Sequence, residues 1–177
     1  KEVIDDYYAC REIYPEYIQP YLLAADVFMA FEQYDDVEEI IAAANELELK
    51  SDSMELCRIK CIHYKDFSEE RVKEALSALL KLKEKIEQDT TSEKATDIED
   101  LAEVEKELAI IYWDLEQPEK ALEVIDTYLE GCPESTILLQ LKMDILGKER
   151  EFNKALEICQ KLIQLEPKDL YVRTKLG

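Results

Sequence analysis

A repeat of 34 residues constrains the fold of this 177-residue chain more than any other feature. Small and large apolar residues recur at this offset in the second half of the chain. The matched pairs are Ala121 and Ala155, Ile125 and Cys159, Tyr128 and Leu162, Tyr112 and Leu146, and Pro133 and Pro167. Self-similarity at this period indicates a stacked array of helix-turn-helix units, because a single hairpin cannot bury its apolar face alone.

The composition agrees with an all-α fold. Three Gly and five Pro leave little room for a turn-rich β fold, and an apolar content of 47% is enough for a sizeable core. No run approaches the roughly 18 apolar residues that a membrane-spanning helix needs, and no signal peptide is visible at the start. We therefore predict an all-α chain and no membrane partner.

The order of residues within a unit resembles the tetratricopeptide repeat. In that family the first helix carries an apolar residue, a small one and an aromatic one, and the second carries Ala, a large residue, a small one and a closing Pro. Here the matching residues are Leu108, Ala109, Tyr112, Ala121, Ile125 and Pro133, while Tyr128 is bulky where the family has a small residue. The resemblance implies a right-handed superhelix, or solenoid, of antiparallel helical hairpins.

The repeat predicts how a single solenoid over 1–177 is divided. We expect a half unit at 1–15, hairpins at about 18–49, 53–88, 97–133 and 136–167, and the start of a further unit at 169–177. Pro15 and Pro133 are separated by 16 residues more than three periods, and the polar segment at about 88–96 holds most of this insertion. Because both end units are incomplete, we expect the chain to be part of a longer protein.

The hairpin at 53–88 has two possible registers. One apolar face of its second helix contains Val72, Leu76 and Leu79, and the other contains Ala75, Leu79 and Leu82. Both have helical spacing, so the sequence leaves the choice open. At the start of this hairpin, Asp52 is the predicted N-cap, with Glu55 as its capping-box partner.

The charge is strongly negative, with 22 basic and 42 acidic residues giving a net charge of −20. Such a chain repels phosphate backbones and anionic lipids, so we expect no nucleic-acid partner. Ten acidic residues and no Lys or Arg lie between Glu12 and Glu48. This stretch indicates either a solvated surface or a site for a basic partner.

The five cysteines are Cys10, Cys57, Cys61, Cys132 and Cys159. They are odd in number and scattered among apolar helix positions, which predicts reduced thiols in the cytoplasm. Together with His63, the only histidine, Cys57 and Cys61 could supply three zinc ligands. A structural zinc site needs a fourth ligand, and His63 lies about 200° around a helix from Cys61. We therefore predict no metal and no cofactor.

The sequence shows no arrangement of residues typical of catalysis. Carboxylate pairs such as Asp35–Asp36 and Glu69–Glu70 lie beside no Gly-rich loop, and the three glycines are isolated. No motif that could hold a phosphate group is present. We predict that the chain is not an enzyme.

The resemblance also indicates a binding surface, because the first helix of each unit lines the inner face of the superhelix in this family. The corresponding positions here are Gln19, Leu22, Asp26 and Met29; Met54, Cys57, Cys61 and Tyr64; Glu103, Lys106, Ile110 and Trp113; and Ile137, Gln140 and Asp144. From these we predict as peptide-binding residues Leu22, Asp26, Met29, Tyr64, Lys106, Ile110, Trp113, Gln140 and Asp144. Some members grip acidic chaperone tails with Lys, Arg and Asn residues in this groove, whereas these positions offer a single Lys, so no such clamp is visible here. Packing between repeats is the alternative role for Met29, Tyr64 and Trp113.

The function that this pattern predicts is protein–protein interaction. We expect a monomeric adaptor or scaffold whose concave face binds a basic or apolar peptide or protein segment. One alternative is a spacer or self-association scaffold without an external ligand. Another is an array that regulates a catalytic or J-type co-chaperone domain outside this chain.

Overall fold

The structure, a computed structural model, describes residues 2–89 and 96–167. Within these ranges the chain forms nine helices and no strand, so the predicted all-α class is confirmed. The helices are α1 (Glu2–Ile13), α2 (Gln19–Ala30), α3 (Tyr34–Glu46), α4 (Asp52–Lys65), α5 (Glu69–Asp89), α6 (Thr96–Asp114), α7 (Pro118–Gly131), α8 (Thr136–Lys148) and α9 (Phe152–Leu165). Positions 90–95 of the predicted insertion and the further unit predicted at 169–177 lie outside the described residues.

The helices belong to two compact units, α1–α5 and α6–α9. Within each unit every helix packs against the next one in the chain. In addition, α2 packs against α4 in the first unit, and α6 packs against α8 in the second. The first helices of successive hairpins are therefore neighbours within each unit. None of the described helices is both long and apolar enough to cross a membrane.

Large side chains surround small ones in the core of the first unit. Tyr7 and Tyr21 meet edge to face, with their ring centroids 5.6 Å apart. The Tyr21 hydroxyl donates a hydrogen bond of 3.2 Å to the carbonyl of Pro15. Ala24 and Ala44 are fully buried in the same cluster. Small side chains at these positions allow the helices to pack at the density typical of protein interiors.

The structure selects one of the two registers left open for α5. Its buried side chains are Val72, Ala75, Leu79, Leu82 and Ile86, whereas Leu76 is only half-buried. The register that contains Ala75, Leu79 and Leu82 is therefore the one that forms.

The N-cap of α4 differs from the prediction by one residue. Ser51, and not Asp52, caps the helix, because its Oγ accepts a hydrogen bond of 3.1 Å from the Met54 N–H. Asp52 is already the first helical residue. Its carboxylate instead forms an ion pair of 2.5 Å with Nζ of Lys85 on α5.

Among the described residues, four helices are followed, two positions after their last residue, by a left-handed residue that is not glycine. These residues are Glu32, Glu48, Glu116 and Arg150, with φ between 57° and 62°. After α6, for example, the Glu116 N–H donates to the Trp113 carbonyl and the Gln117 N–H donates to the Tyr112 carbonyl, both at 2.9 Å. This pair of bonds is the Schellman motif, which usually has Gly at the left-handed position. The α4–α5 turn differs, because Asp66 is extended there.

Glycine at the left-handed position should stabilise these turns. We expect Glu116→Gly to raise the free energy of unfolding of the second unit by about 0.5–1 kcal/mol, because relief of the Cβ clash outweighs the added freedom of the unfolded chain. The control is Glu123→Gly, at an exposed position inside α7, which should lower stability by about 1 kcal/mol. Urea denaturation measures both values, and equal destabilisation by the two substitutions would contradict the expectation.

Candidate peptide-binding surface

One candidate surface runs along α6 in the second unit. Glu103, Lys106, Ile110 and Trp113 follow one another at spacings of three and four residues, so they form one stripe on the helix. All four side chains are half-buried. The neighbouring residue Ala109 is completely buried in the core. The stripe therefore borders the core and remains partly accessible.

A matching stripe lies on α8. Ile137, Gln140 and Asp144 each follow an α6 stripe residue by one 34-residue period. Ile137 is 39% exposed, and Gln140 and Asp144 are half-buried. Because α6 packs against α8, five of the nine predicted binding residues lie on two adjacent helices of one unit. We call these two stripes the α6–α8 surface.

Trp113 marks one end of this surface. Its ring packs against the core of the second unit, and Nζ of Lys148 lies 5.2 Å from the ring centroid, within cation–π range. Near the other end, Nζ of Lys106 lies 3.3 Å from Oε2 of Glu103. With Asp144 and the adjoining Lys148 counted, two cations and two carboxylates lie on or beside the surface. Its formal charge is therefore balanced, although the chain as a whole is strongly acidic.

A cavity of about 660 Å³ opens at the end where Glu103 and Ile137 lie. Tyr128, Cys132 and Pro133 also line it. Burial raises the pKa of Tyr128 to about 12, and a hydrogen bond with the Cys132 side chain adds to this effect. The Tyr128 hydroxyl therefore stays protonated at neutral pH and can donate a hydrogen bond.

In the first unit, α2 keeps its predicted binding residues at or near the surface. Asp26 is exposed, and Leu22 and Met29 are half-buried against the core. On α4, Tyr64 is half-buried, with its ring centroid 4.6 Å from that of His63. These four residues are thus placed by two helices that pack against each other within the first unit.

The expectation that Met54, Cys57 and Cys61 line the inner face is wrong. All three are buried in the core that α4 shares with α2 and α3. They form a stripe at spacings of three and four residues, and this stripe is the face by which α4 packs. The Cys57 thiol donates a hydrogen bond of 3.8 Å to Oδ1 of Asp26, at the edge of that core.

Two residues that shape the α6–α8 surface were not predicted as part of it. Lys148 is the last residue of α8, and no sequence pattern pairs it with Trp113. Tyr128 was interpreted only as a repeat position of the core. The 34-residue repeat does not predict the cavity beside Tyr128. The cavity depends on how the α7–α8 turn packs, and the repeat does not describe that packing.

His63 and the cysteines form no recognisable metal centre. Among residues 2–89 and 96–167, no three His, Cys, Asp or Glu side chains are grouped so that they could hold an ion. His63 is completely buried, with its ring centroid 5.7 Å from that of Phe67. The absence of a bound metal remains a prediction.

Thiol labelling should separate the buried cysteines from the exposed one. Burial raises the pKa of Cys57 to about 12, and the carboxylate of Asp26 adds to this shift. We expect Cys57 to react with a disulfide reagent at least about 100-fold more slowly than exposed Cys10 near neutral pH, because the thiolate is the reactive form. Cys10→Ser should reduce the fast phase, to which half-buried Cys132 also contributes, and Cys57→Ser should leave it intact. Labelling of Cys57 within the fast phase would contradict this expectation.

Comparisons with known proteins identify the fold. No protein-family model and no curated protein matches the chain. The solved structure of MamA is similar, with a TM-score of 0.56 and 16% identity over 92% of this chain and 85% of that chain. YrrB, described as a TPR protein with an unusual peptide-binding site, has a TM-score of 0.52 and 18% identity over 91% of this chain and 75% of that chain. The likeness shows that the chain has the tetratricopeptide-repeat fold.

Proposed function

We propose that the chain is an adaptor module whose α6–α8 surface binds an apolar or basic segment of another protein. The observation that carries this proposal is the position of Trp113, which is half-buried at the edge of the core and faces Lys148. Tryptophan is enriched among the residues that contribute most to protein interfaces. The peptide-binding site named for YrrB adds support from the fold.

The chemistry of the surface favours a ligand with apolar side chains. Ile110, Ile137 and Trp113 offer apolar contacts, and the cavity beside Tyr128 has room for one large side chain. A basic group on the ligand would meet Glu103 or Asp144 and would be attracted by the overall charge of −20. We propose that the module acts as a monomer in the cytoplasm, without catalytic activity, cofactor, nucleic acid or membrane.

Removal of the Trp113 indole should weaken binding. With a short fluorescein-labelled peptide of Leu and Lys as the probe, we expect Trp113→Ala to reduce affinity by about 2 kcal/mol, or roughly 30-fold. The control is Phe152→Ala, which removes an exposed aromatic side chain from the same unit and should leave affinity unchanged. Fluorescence anisotropy measures binding, and circular dichroism verifies that each variant keeps its helical content.

Three results would count against this proposal. The first is unchanged affinity in both Trp113→Ala and Phe152→Ala, which would indicate attraction by net charge alone, because neither substitution alters the charge. The second is loss of helical content in Trp113→Ala, which would assign the indole to the core. The third is a mass above that of a monomer in light scattering together with no peptide binding, which would favour the self-association scaffold.

A further inference from the structure

A second groove lies in the first unit, between α3, α4 and α5. It has a volume of about 710 Å³ and is lined by residues from the end of α3, the start of α4 and the middle of α5. Met54 is the one lining residue that was predicted to lie on the inner face, and it is buried. The lining contains no residue of the α6–α8 surface, and no part of the function proposed above uses it.

The charge of this groove is unlike that of the rest of the chain. Its lining contains four basic residues, Lys50, Arg58, Lys81 and Lys85, and three acidic residues, Asp52, Glu55 and Glu74. The chain as a whole has almost two acidic residues for each basic one. Basic residues therefore slightly outnumber acidic residues in the groove, whereas acidic residues predominate in the chain as a whole.

Ion pairs orient two of the four cations. The Arg58 guanidinium binds the Glu55 carboxylate through two bonds of 2.9 and 2.7 Å. Nζ of Lys85 lies 2.5 Å from Oδ1 of Asp52. These pairs neutralise most of the local negative charge on the groove wall. The cations that remain are Lys50 and Lys81.

Lys50 and Lys81 are exposed and have no ion-pair partner among the residues that the structure describes. They lie on different elements, at the end of the α3–α4 turn and on α5 respectively. The apolar lining residues that remain half-buried are Leu49 and Ala78, beside the buried side chains of Ile41, Met54 and Leu82. The groove therefore combines partly accessible apolar side chains with two cations that have no ion-pair partner in the described part of the chain.

We propose that this groove binds a second protein segment, one that carries both acidic and apolar side chains. Carboxylates of the segment would pair with Lys50 and Lys81, and its apolar side chains would contact Leu49 and Ala78. The choice of an acidic occupant rests on local complementarity with Lys50 and Lys81, since interfaces place opposite charges against each other. This local attraction has to outweigh the repulsion from the net charge of −20. Two segments of opposite charge could then be held on the two units of one chain.

Reversal of one groove charge tests the proposal. The probe is a short fluorescein-labelled peptide of Leu and Glu, and binding is measured by anisotropy. We expect Lys81→Glu to weaken binding at least about tenfold. The matched control is Lys73→Glu, on the same helix, where Lys73 pairs with Glu69 outside the groove. This control should change affinity less than about twofold.

A second variant separates occupation of the groove from simple charge attraction. Ala78 is half-buried in the groove wall on α5, and Ala78→Gln fills the space without a change of charge. We expect this substitution to weaken the Leu and Glu peptide about fivefold, since interfaces require complementary shape. Circular dichroism verifies that the helices are intact.

Each contrary outcome overturns the proposal. These outcomes are equal effects of Lys81→Glu and Lys73→Glu, no effect of Ala78→Gln in a folded protein, and no binding of the acidic peptide. Self-association that Lys81→Glu abolishes, without peptide binding, would assign the groove to a second copy of the chain. Trp113→Ala should leave the acidic peptide unaffected, so failure here is distinguishable from failure at the α6–α8 surface.

Discussion

Leu79→Ala is expected to lower the free energy of unfolding of the first unit by about 3 kcal/mol. Leu79 is completely buried in the middle of α5, the helix that packs against α4. The substitution removes apolar contacts and leaves a cavity. The surrounding helices cannot move enough to fill this cavity, because each is packed against other helices. The measurement is urea denaturation followed by circular dichroism.

The adjacent residue provides a matched control for Leu79. Leu80 has the same side chain on the same helix but is 44% exposed. Leu80→Ala should therefore change the free energy of unfolding by less than about 0.5 kcal/mol. The difference in helix propensity is the same in both variants. A similar loss of stability from both would mean that the face of α5 has been wrongly identified.

Ala44→Phe is expected to lower the free energy of unfolding of the first unit by about 3 kcal/mol, because it adds a large side chain where there is no space for it. Ala44 is completely buried near the end of α3, in the cluster that contains Tyr21 and Val37. Its carbonyl also accepts a hydrogen bond of 3.0 Å from the Leu49 N–H, which closes the turn into α4. A phenyl ring at this position must displace its neighbours or push α3 away from α4.

The control for overpacking is Ala42→Phe on the same helix. Ala42 is exposed, so the added ring meets solvent and should cost about 0.5 kcal/mol or less. Thermal and urea denaturation of the two variants give the comparison. If Ala44→Phe is tolerated as well as Ala42→Phe, the small side chain at position 44 is not required for close packing.

The repeat made the fold predictable because it reports which residues must face a neighbouring helix. Recurrence of Ala121 and Ile125 at one offset indicates helices that pack in the same way, and both are completely buried. Where the repeat is less regular, the sequence does not determine which face of a helix is buried. The face of α5 could not be chosen from the sequence, since two stripes of equal apolar character overlap at Leu79.

The turns and caps of the helices depend on local backbone conformation, which the pattern of apolar residues does not predict. The left-handed turns at Glu32, Glu48 and Glu116 carry no glycine, so the usual signal of such a turn is missing. Similarly, the choice of Ser51 over Asp52 as N-cap depends on which residue leaves the helical conformation first.

The binding surface was predicted less completely than the fold. Resemblance to a family indicates which helix faces inward but does not decide how deeply each residue is buried. Met54 and Cys57 were misplaced for this reason. The contact between Lys148 and Trp113 joins two helices and follows from their packing alone.

Packing between helices that are close in sequence has a consequence for the speed of folding. Within each unit the closely packed pairs are consecutive helices or helices with one other between them. Only short loops must close before these contacts can form. Domains with such local contacts fold within about microseconds to milliseconds, far faster than β-sandwiches of similar size. We therefore expect each unit to refold in the dead time of a stopped-flow instrument.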